Sequence, residues 1–237
     1  MMKWMIGSCI ALALFVSVGA SRREGETKES GMRLYPELAA TVKARIGEFE
    51  QIPAARKEQL KEIATFVRDA REKQQPIRMT FICTHNSRRS HLAHLWATVA
   101  AAHYGIEKFE GFSGGTEATA FNPRAVAAIR RAGFVVKSDE SAKNPRYEVR
   151  IGPDAPAIAC FSKVYSEGGN PSKDFCAVMV CGQADASCPI VSGATARIAL
   201  PYDDPKVSDG TPAESATYDE RCAQIAREML YAMSMVK

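Results

Sequence analysis

Ile77-Arg-Met-Thr-Phe-Ile-Cys83-Thr-His-Asn-Ser-Arg-Arg89-Ser90 is the stretch on which the architecture turns. Its first seven residues are apolar and β-branched toward both ends, which predicts a short buried strand. Thr84 to Arg89 form a polar loop, and a helix is predicted from Ser90 to about Tyr104. A strand feeding a helix through a polar loop is half of a βα unit, and the same alternation continues downstream. A strand is expected over Phe109–Phe112, ending at Gly114-Gly115. A helix follows from Asn122-Pro123 through Arg131, with proline in its first turn and Gly133 as its stop. A loop-rich region then holds an expected hairpin around Tyr147–Ile151 and Ala157–Phe161. Buried strands are predicted at Phe175–Cys181 and Arg197–Leu200, and a last helix at about Tyr218–Met235. The pattern predicts an α/β fold with a mostly parallel sheet, without internal repeats.

Upstream, Leu38, Val42, Ile46 and Phe49 share one helical face, and Leu60, Ile63, Val67 and Ala70 share another after the Ile52-Pro53 break. These predict a helical extension packed on the main domain. Residues 21–33 are polar and read as a linker, so linker and extension span residues 21–76 and the catalytic domain 77–237. Lys3 is the only charge before Arg22, and an apolar run from Trp4 to Val18 leads to Gly-Ala-Ser21. A basic start, an apolar middle and small residues describe a signal peptide, residues 1–20, cleaved after Ala20, and hence an exported protein. The alternative is a membrane anchor, for which the run is at the short limit of the roughly 20 residues that a span requires.

The chain has 237 residues, 46% hydrophobic and 24% charged, which excludes a disordered, collagen-like or coiled-coil chain. Its length is enough to bury a core without disulfide staples. A net charge of +4 argues against nucleic acid as a partner and suits an anionic substrate. The seven cysteines are odd in number, so complete internal pairing is impossible.

The chemistry concentrates in Cys83-x5-Arg89-Ser90. Five residues between cysteine and arginine let Thr84, His85, Asn86, Ser87, Arg88, Arg89 and Ser90 curl round a tetrahedral oxyanion, with backbone N–H groups and a helix N-terminus directed inward. The same positive field stabilises a thiolate at Cys83. Arg89 offers a two-pronged fork to the anion. Asn86 and Ser90 are candidates to hold the loop's shape. Asp204, in Asp203-Asp204-Pro205, is a candidate general acid for a leaving oxygen. Cys181 and Cys188, joined by Gly-Gln-Ala-Asp-Ala-Ser, read as a mobile dithiol on a small-residue loop, with a static disulfide as the other option. Cys160, Cys176 and Cys222 read as core residues, His85 as a loop residue and His94 as a helix-surface residue. The histidines are not spaced with the cysteines as in a zinc site, and no metal is expected.

With these residues assembled, the chain resembles the low-molecular-weight protein tyrosine phosphatase superfamily, and within it the thioredoxin-coupled arsenate reductases. Phe81 to Ser90, Phe112 to Glu117, Asn122 to Val126 and Tyr202 to Pro205 match its motifs. Cys181 and Cys188-Pro189 match the pair of the reductase branch. His85 and Arg88 stand where the family usually carries glycine and cysteine, adding bulk and charge near the mouth. His94 stands where the reductases' potassium site uses a glutamate, so no potassium ion and no other cofactor is expected.

The resemblance implies a three-layer α/β/α fold with a central four-stranded parallel sheet. It also implies arsenate reduction, in which Cys83 attacks the anion, Asp204 assists loss of oxygen, and a disulfide moves from Cys83–Cys181 to Cys181–Cys188. The implied partners are arsenate and a thioredoxin-like reductant, with the protein a monomer. The alternatives are a phosphatase hydrolysing a phosphate monoester through phosphocysteine, and a non-catalytic oxyanion-binding module.

Overall fold

The computed structural model describes residues 1, 32–138, 142–187 and 190–236. The expected signal peptide, most of the linker, Cys188 and Pro189 lie outside the described residues.

β1 (Ile77–Cys83) is buried everywhere except at Arg78. It lies between β2 (Phe109–Gly115) and β6 (Phe175–Met179), and β7 (Ala194–Ala199) completes the order β2-β1-β6-β7. All three pairings are parallel, running from Ile77 opposite Phe109 to Cys83 opposite Gly115, and from Met79 opposite Cys176 to Ile82 opposite Met179. A central strand of such a sheet has no solvated face, which is why β1 and β6 read as unbroken apolar runs. The expected α/β fold around a four-stranded parallel sheet is the one formed.

Helices flank this sheet. α3 (Arg89–His103) packs on β1 and β2 and against α6 (Glu214–Ser234), which also contacts α1 (Pro36–Ile46), α2 (Ala54–Glu72) and α4 (Pro123–Arg131). Asn122 caps α4 by accepting from the Arg124 N–H. Gly133, at φ +99°, ends α4 where a Cβ would lie 2.4 Å from the Leu38 nitrogen. α1 and α2 are not a separate appendage: Leu38, Val42, Leu60, Ile63 and Val67 belong to the same buried core as Phe81, Trp96 and Met229.

One local expectation is extended and another fails. β3 (Val135–Ser138) joins β4 (Tyr147–Arg150) and β5 (Ile158–Cys160) in a separate antiparallel sheet, so the expected hairpin exists but has a third strand. The segment after Cys181 is not a loop but a short helix, α5 (Gly182–Ser187), because its alanines sustain a helical turn despite the glycine. Among the described residues no helix is long and apolar enough to cross a membrane.

Candidate active site

Cys83 ends β1, 3% exposed, with its Sγ 3.1 Å from Ser90 Oγ. Asn86 does not touch the sulfur. Its Nδ2 donates to Ser90 Oγ at 2.9 Å, and its Oδ1 accepts from the Lys163 N–H at 2.9 Å. Asn86 sits in the left-handed region at φ 44°, which asparagine tolerates better than most residues.

The loop is held by its carbonyls. Cys83 O accepts from Thr116 N–H, Thr84 O from Glu117 N–H, Ser87 O from Asn122 N–H and Arg88 O from Leu92 N–H, while His85 O accepts from the Ser162 and Thr119 hydroxyls. Among the described residues, the backbone N–H groups of Thr84, His85, Asn86, Ser87 and Arg88 donate to no protein acceptor. Carbonyls committed to the scaffold and five successive N–H groups left free make a concavity for an anion. Gly115 permits the close approach. A Cβ there would lie 2.6 Å from the Asn86 nitrogen and 2.7 Å from the Thr84 oxygen.

Arg89 and Asp204 meet at the same place. Arg89 donates through one terminal nitrogen to Tyr202 O at 2.9 Å and through the other to Asp204 Oδ2 at 2.7 Å. Its Nε is buried without a partner among the described residues. The fork is therefore turned onto the loop of Asp204, whose other oxygen accepts from Lys206 N–H. An entering anion would compete with that carboxylate for the guanidinium.

The two loop positions that depart from the family pattern part company. His85 stays at the mouth, 44% exposed, with Nε2 2.9 Å from Glu117 Oε1. Arg88 turns inward, correcting the expectation that its charge lies near the mouth. Its Nε donates to the Tyr218 hydroxyl at 2.9 Å, and its terminal nitrogen is 3.7 Å from Asp209 Oδ2. Burial, first, and the hydrogen bond to Asp209 push the Tyr218 hydroxyl up to about 12.

Cys181 follows β6 beside this loop, where Val180 N–H donates to Ile82 O. Its buried Sγ lies 3.5 Å from Thr84 Oγ1 and accepts from Ala184 N–H at 3.3 Å. Cys83 and Cys181 are free thiols. Cys160, Cys176 and Cys222 are buried as expected, each pushed up to about 12 by burial. His94 is not a surface residue: it is 5% exposed, and burial lowers it to about 3. The helix that carries it packs between the sheet and α6, so no face of α3 is left for solvent along Ser90–Ala97. Lys163, whose N–H anchors Asn86, carried no signal in the sequence, whereas Tyr202, whose carbonyl holds Arg89, stood in the segment already read as the acid loop. A groove of about 810 Å³ between α2 and β7 lies away from this loop.

The family described as low molecular weight phosphotyrosine protein phosphatase matches residues 78–150. The chain is 30% identical over 141 residues to an arsenate reductase of Bacillus licheniformis, covering 60% of this chain and 83% of that protein. It is 27% identical over 141 residues to an arsenate reductase of Bacillus subtilis, with the same coverage. Among solved structures it is similar to an arsenate reductase of Archaeoglobus fulgidus (18% identity, TM-score 0.43, 66% of this chain and 98% of that one) and a low molecular weight phosphotyrosine phosphatase of Vibrio cholerae O395 (11%, 0.44, 67% and 94%). By the family match and these relatives, the chain belongs to the low molecular weight phosphotyrosine protein phosphatase family.

Proposed function

We propose that the protein is a thiol-based oxyanion enzyme that reduces arsenate to arsenite. Cys83 thiolate displaces a hydroxyl of arsenate held by the five free N–H groups and Arg89, and Asp204 donates the proton with which it leaves as water. Cys181 then attacks the Cys83 sulfur. The electron pair of the sulfur–arsenic bond departs with arsenic as arsenite, and a Cys83–Cys181 disulfide remains. Cys188 attacks Cys181, freeing Cys83 thiolate, and a thioredoxin-like dithiol reduces the Cys181–Cys188 bond. The observation that carries this reading is the Cys181 thiol, free, buried and one hydroxyl away from the nucleophile loop at Thr84. Phosphate monoester hydrolysis through phosphocysteine is the second reading, favoured by the Arg89–Asp204 pair, which serves a leaving alcohol equally well.

Arsenate turnover with thioredoxin and hydrolysis of p-nitrophenyl phosphate, measured on Cys83→Ser and Cys181→Ser, separate the two. The reductase reading requires Cys181→Ser to lose arsenate turnover and keep hydrolysis. Intact arsenate turnover in Cys181→Ser sinks the relay, and intact activities in Cys83→Ser sink both readings. We propose further that residues 1–20 direct export. A cell-fractionated protein whose N-terminus is Ser21 supports this, and an intact Met1 in the cytosol refutes it.

A further inference from the structure

Beneath the anion loop, His91 and His94 of α3 and Cys160 at the end of β5 bring two ring nitrogens and one sulfur within 4.8 Å of one another. None of the three residues is more than 5% exposed. His91 and His94 are three positions apart on one helix, so their rings project from one face. His91 Nε2 and His94 Nδ1 have no hydrogen-bond partner among the described residues, although both are buried. An orphaned ring nitrogen in a protein interior is costly, and here both histidines of one buried cluster carry one.

Both rings are also held by neighbours. His91 Nδ1 lies 3.2 Å from Ser113 Oγ, and the Asn86 backbone hydrogen-bonds the same ring. The Gly111 backbone hydrogen-bonds the His94 ring. Gly111 makes that approach possible, since a Cβ would lie 2.8 Å from the His94 ring. Phe121 stacks on His91 with ring centres 4.0 Å apart. An imidazole that gives its far N–H to a backbone carbonyl presents its near nitrogen as a lone pair, which is the usual support of a metal-ligating histidine.

We propose that His91, His94 and Cys160 form a buried three-coordinate site for a soft monovalent metal ion, Cu(I). Thiolate and imidazole are the ligands such an ion selects. Metal–nitrogen and metal–sulfur bonds of about 2.0 and 2.3 Å place the three atoms about 3.5–3.8 Å apart, a closure of about 1 Å from the observed spread. Charge chooses among soft ions. Cys160 loses its thiol proton to solvent on binding, so one thiolate, two neutral imidazoles and Cu(I) sum to zero. A divalent ion would leave a net positive charge in the interior, against Lys163, whose ammonium already acts on both histidines and which is itself 7% exposed. The copper keeps its oxidation state throughout. The site stands on geometry independent of the proposed reaction.

The test uses full-length protein with Cys83, Cys181 and Cys188 replaced by serine, so that those thiols do not compete. It is prepared reduced and metal-free and titrated anaerobically with Cu(I) buffered by bathocuproine disulfonate. One equivalent is expected, with X-ray absorption reporting mixed nitrogen and sulfur ligation. Losing even a supporting residue of a metal site costs about 10–100-fold in affinity, so Cys160→Ser or His94→Gln should weaken binding by at least about 100-fold. Thermal melting without copper identifies a variant that fails to fold, and the parent's ligation spectrum then decides. Sulfur-only ligation, affinity unchanged in a folded variant, or Zn(II) bound in preference to Cu(I) overturns the proposal.

Discussion

Arg56 of α2 offers the sharpest test of how the N-terminal helices serve the site. Its Nε donates to Glu228 Oε2 of α6 at 2.8 Å, and one terminal nitrogen donates to Pro201 O at 3.1 Å. The guanidinium lies 4.6 Å above the Tyr202 ring, and the Tyr202 carbonyl holds Arg89. The ion pair is buried, with side chains 13% and 3% exposed. Arg56→Leu removes the cation but leaves the Glu228 carboxylate in the core without its charge partner, although Gln224 Nε2 still donates to its Oε1. Breaking a buried pair from one side costs about 3–5 kcal/mol. For a domain of this size each kcal/mol lowers the melting temperature by about 2–4 °C, so a fall of about 6–20 °C is expected. Glu228→Gln on the Arg56→Leu background should restore much of that loss, because a neutral amide is cheaper to bury than an unpaired charge. The assay is thermal and urea denaturation of the four proteins of the double-mutant cycle. Arg56→Leu melting within about 2 °C of the parent, or a double variant whose loss equals the sum of the singles, would refute the argument.

Three further outcomes are expected. Asp204→Asn keeps an acceptor for Arg89 but no proton to give, so turnover of substrates with poor leaving groups should fall about 10²–10⁴-fold, and substrates with good ones should be spared; equal effects on both argue against the acid role. Gly115→Ala drives a Cβ against Asn86 N and Thr84 O and should displace the anion loop, costing about 1–3 kcal/mol of stability and most of the activity; unaltered kinetics would show that the loop does not need this approach. Burial holds the Cys176 and Cys222 thiols at about 12 against an ordinary 9.0, so they stay protonated in the folded protein. Their contribution is complete below pH 9 and lost as pH rises toward 12, about 1 kcal/mol each at pH 10. Urea midpoints at pH 8 and 10 should show this loss, and Cys222→Ala should flatten it.

The βα unit around Cys83 was legible because a mostly apolar strand, a polar loop and a helix start follow one another in fourteen residues. The α4 segment was legible for a similar reason, since Asn122, Pro123 and Gly133 mark both its ends with specific backbone chemistry. β3 was not, because Val135-Val136-Lys137-Ser138 is a four-residue edge strand, mostly exposed or half-buried, with no clear alternation. His94 was misplaced because histidine on a helix is ordinarily solvated, and only the packing of α3 on both sheet and α6 removes that option. The juxtaposition of His91 and His94 with Cys160 arises from β5 folding back under α3, across a separation that no local spacing rule covers. Arg89 was read as an anion ligand from its place in the loop, but its hold on Asp204 depends on where β7 ends.

The shared core of α1, α2 and α6 also fixes an order of events in time. α1 and α2 are buried by α6, far along the chain: Arg56 pairs with Glu228, Arg227 with Glu48, and Arg71 bonds Val236 O, at separations of 172, 179 and 165 residues. Contacts so distant along the chain require everything from α1 through α6 before they can form, and they slow folding accordingly. Without α6 the apolar faces of Leu38, Val42, Leu60 and Ile63 lack the cover that completes their core, so the packing of α1 and α2 waits on the docking of a helix more than 140 residues further along the chain.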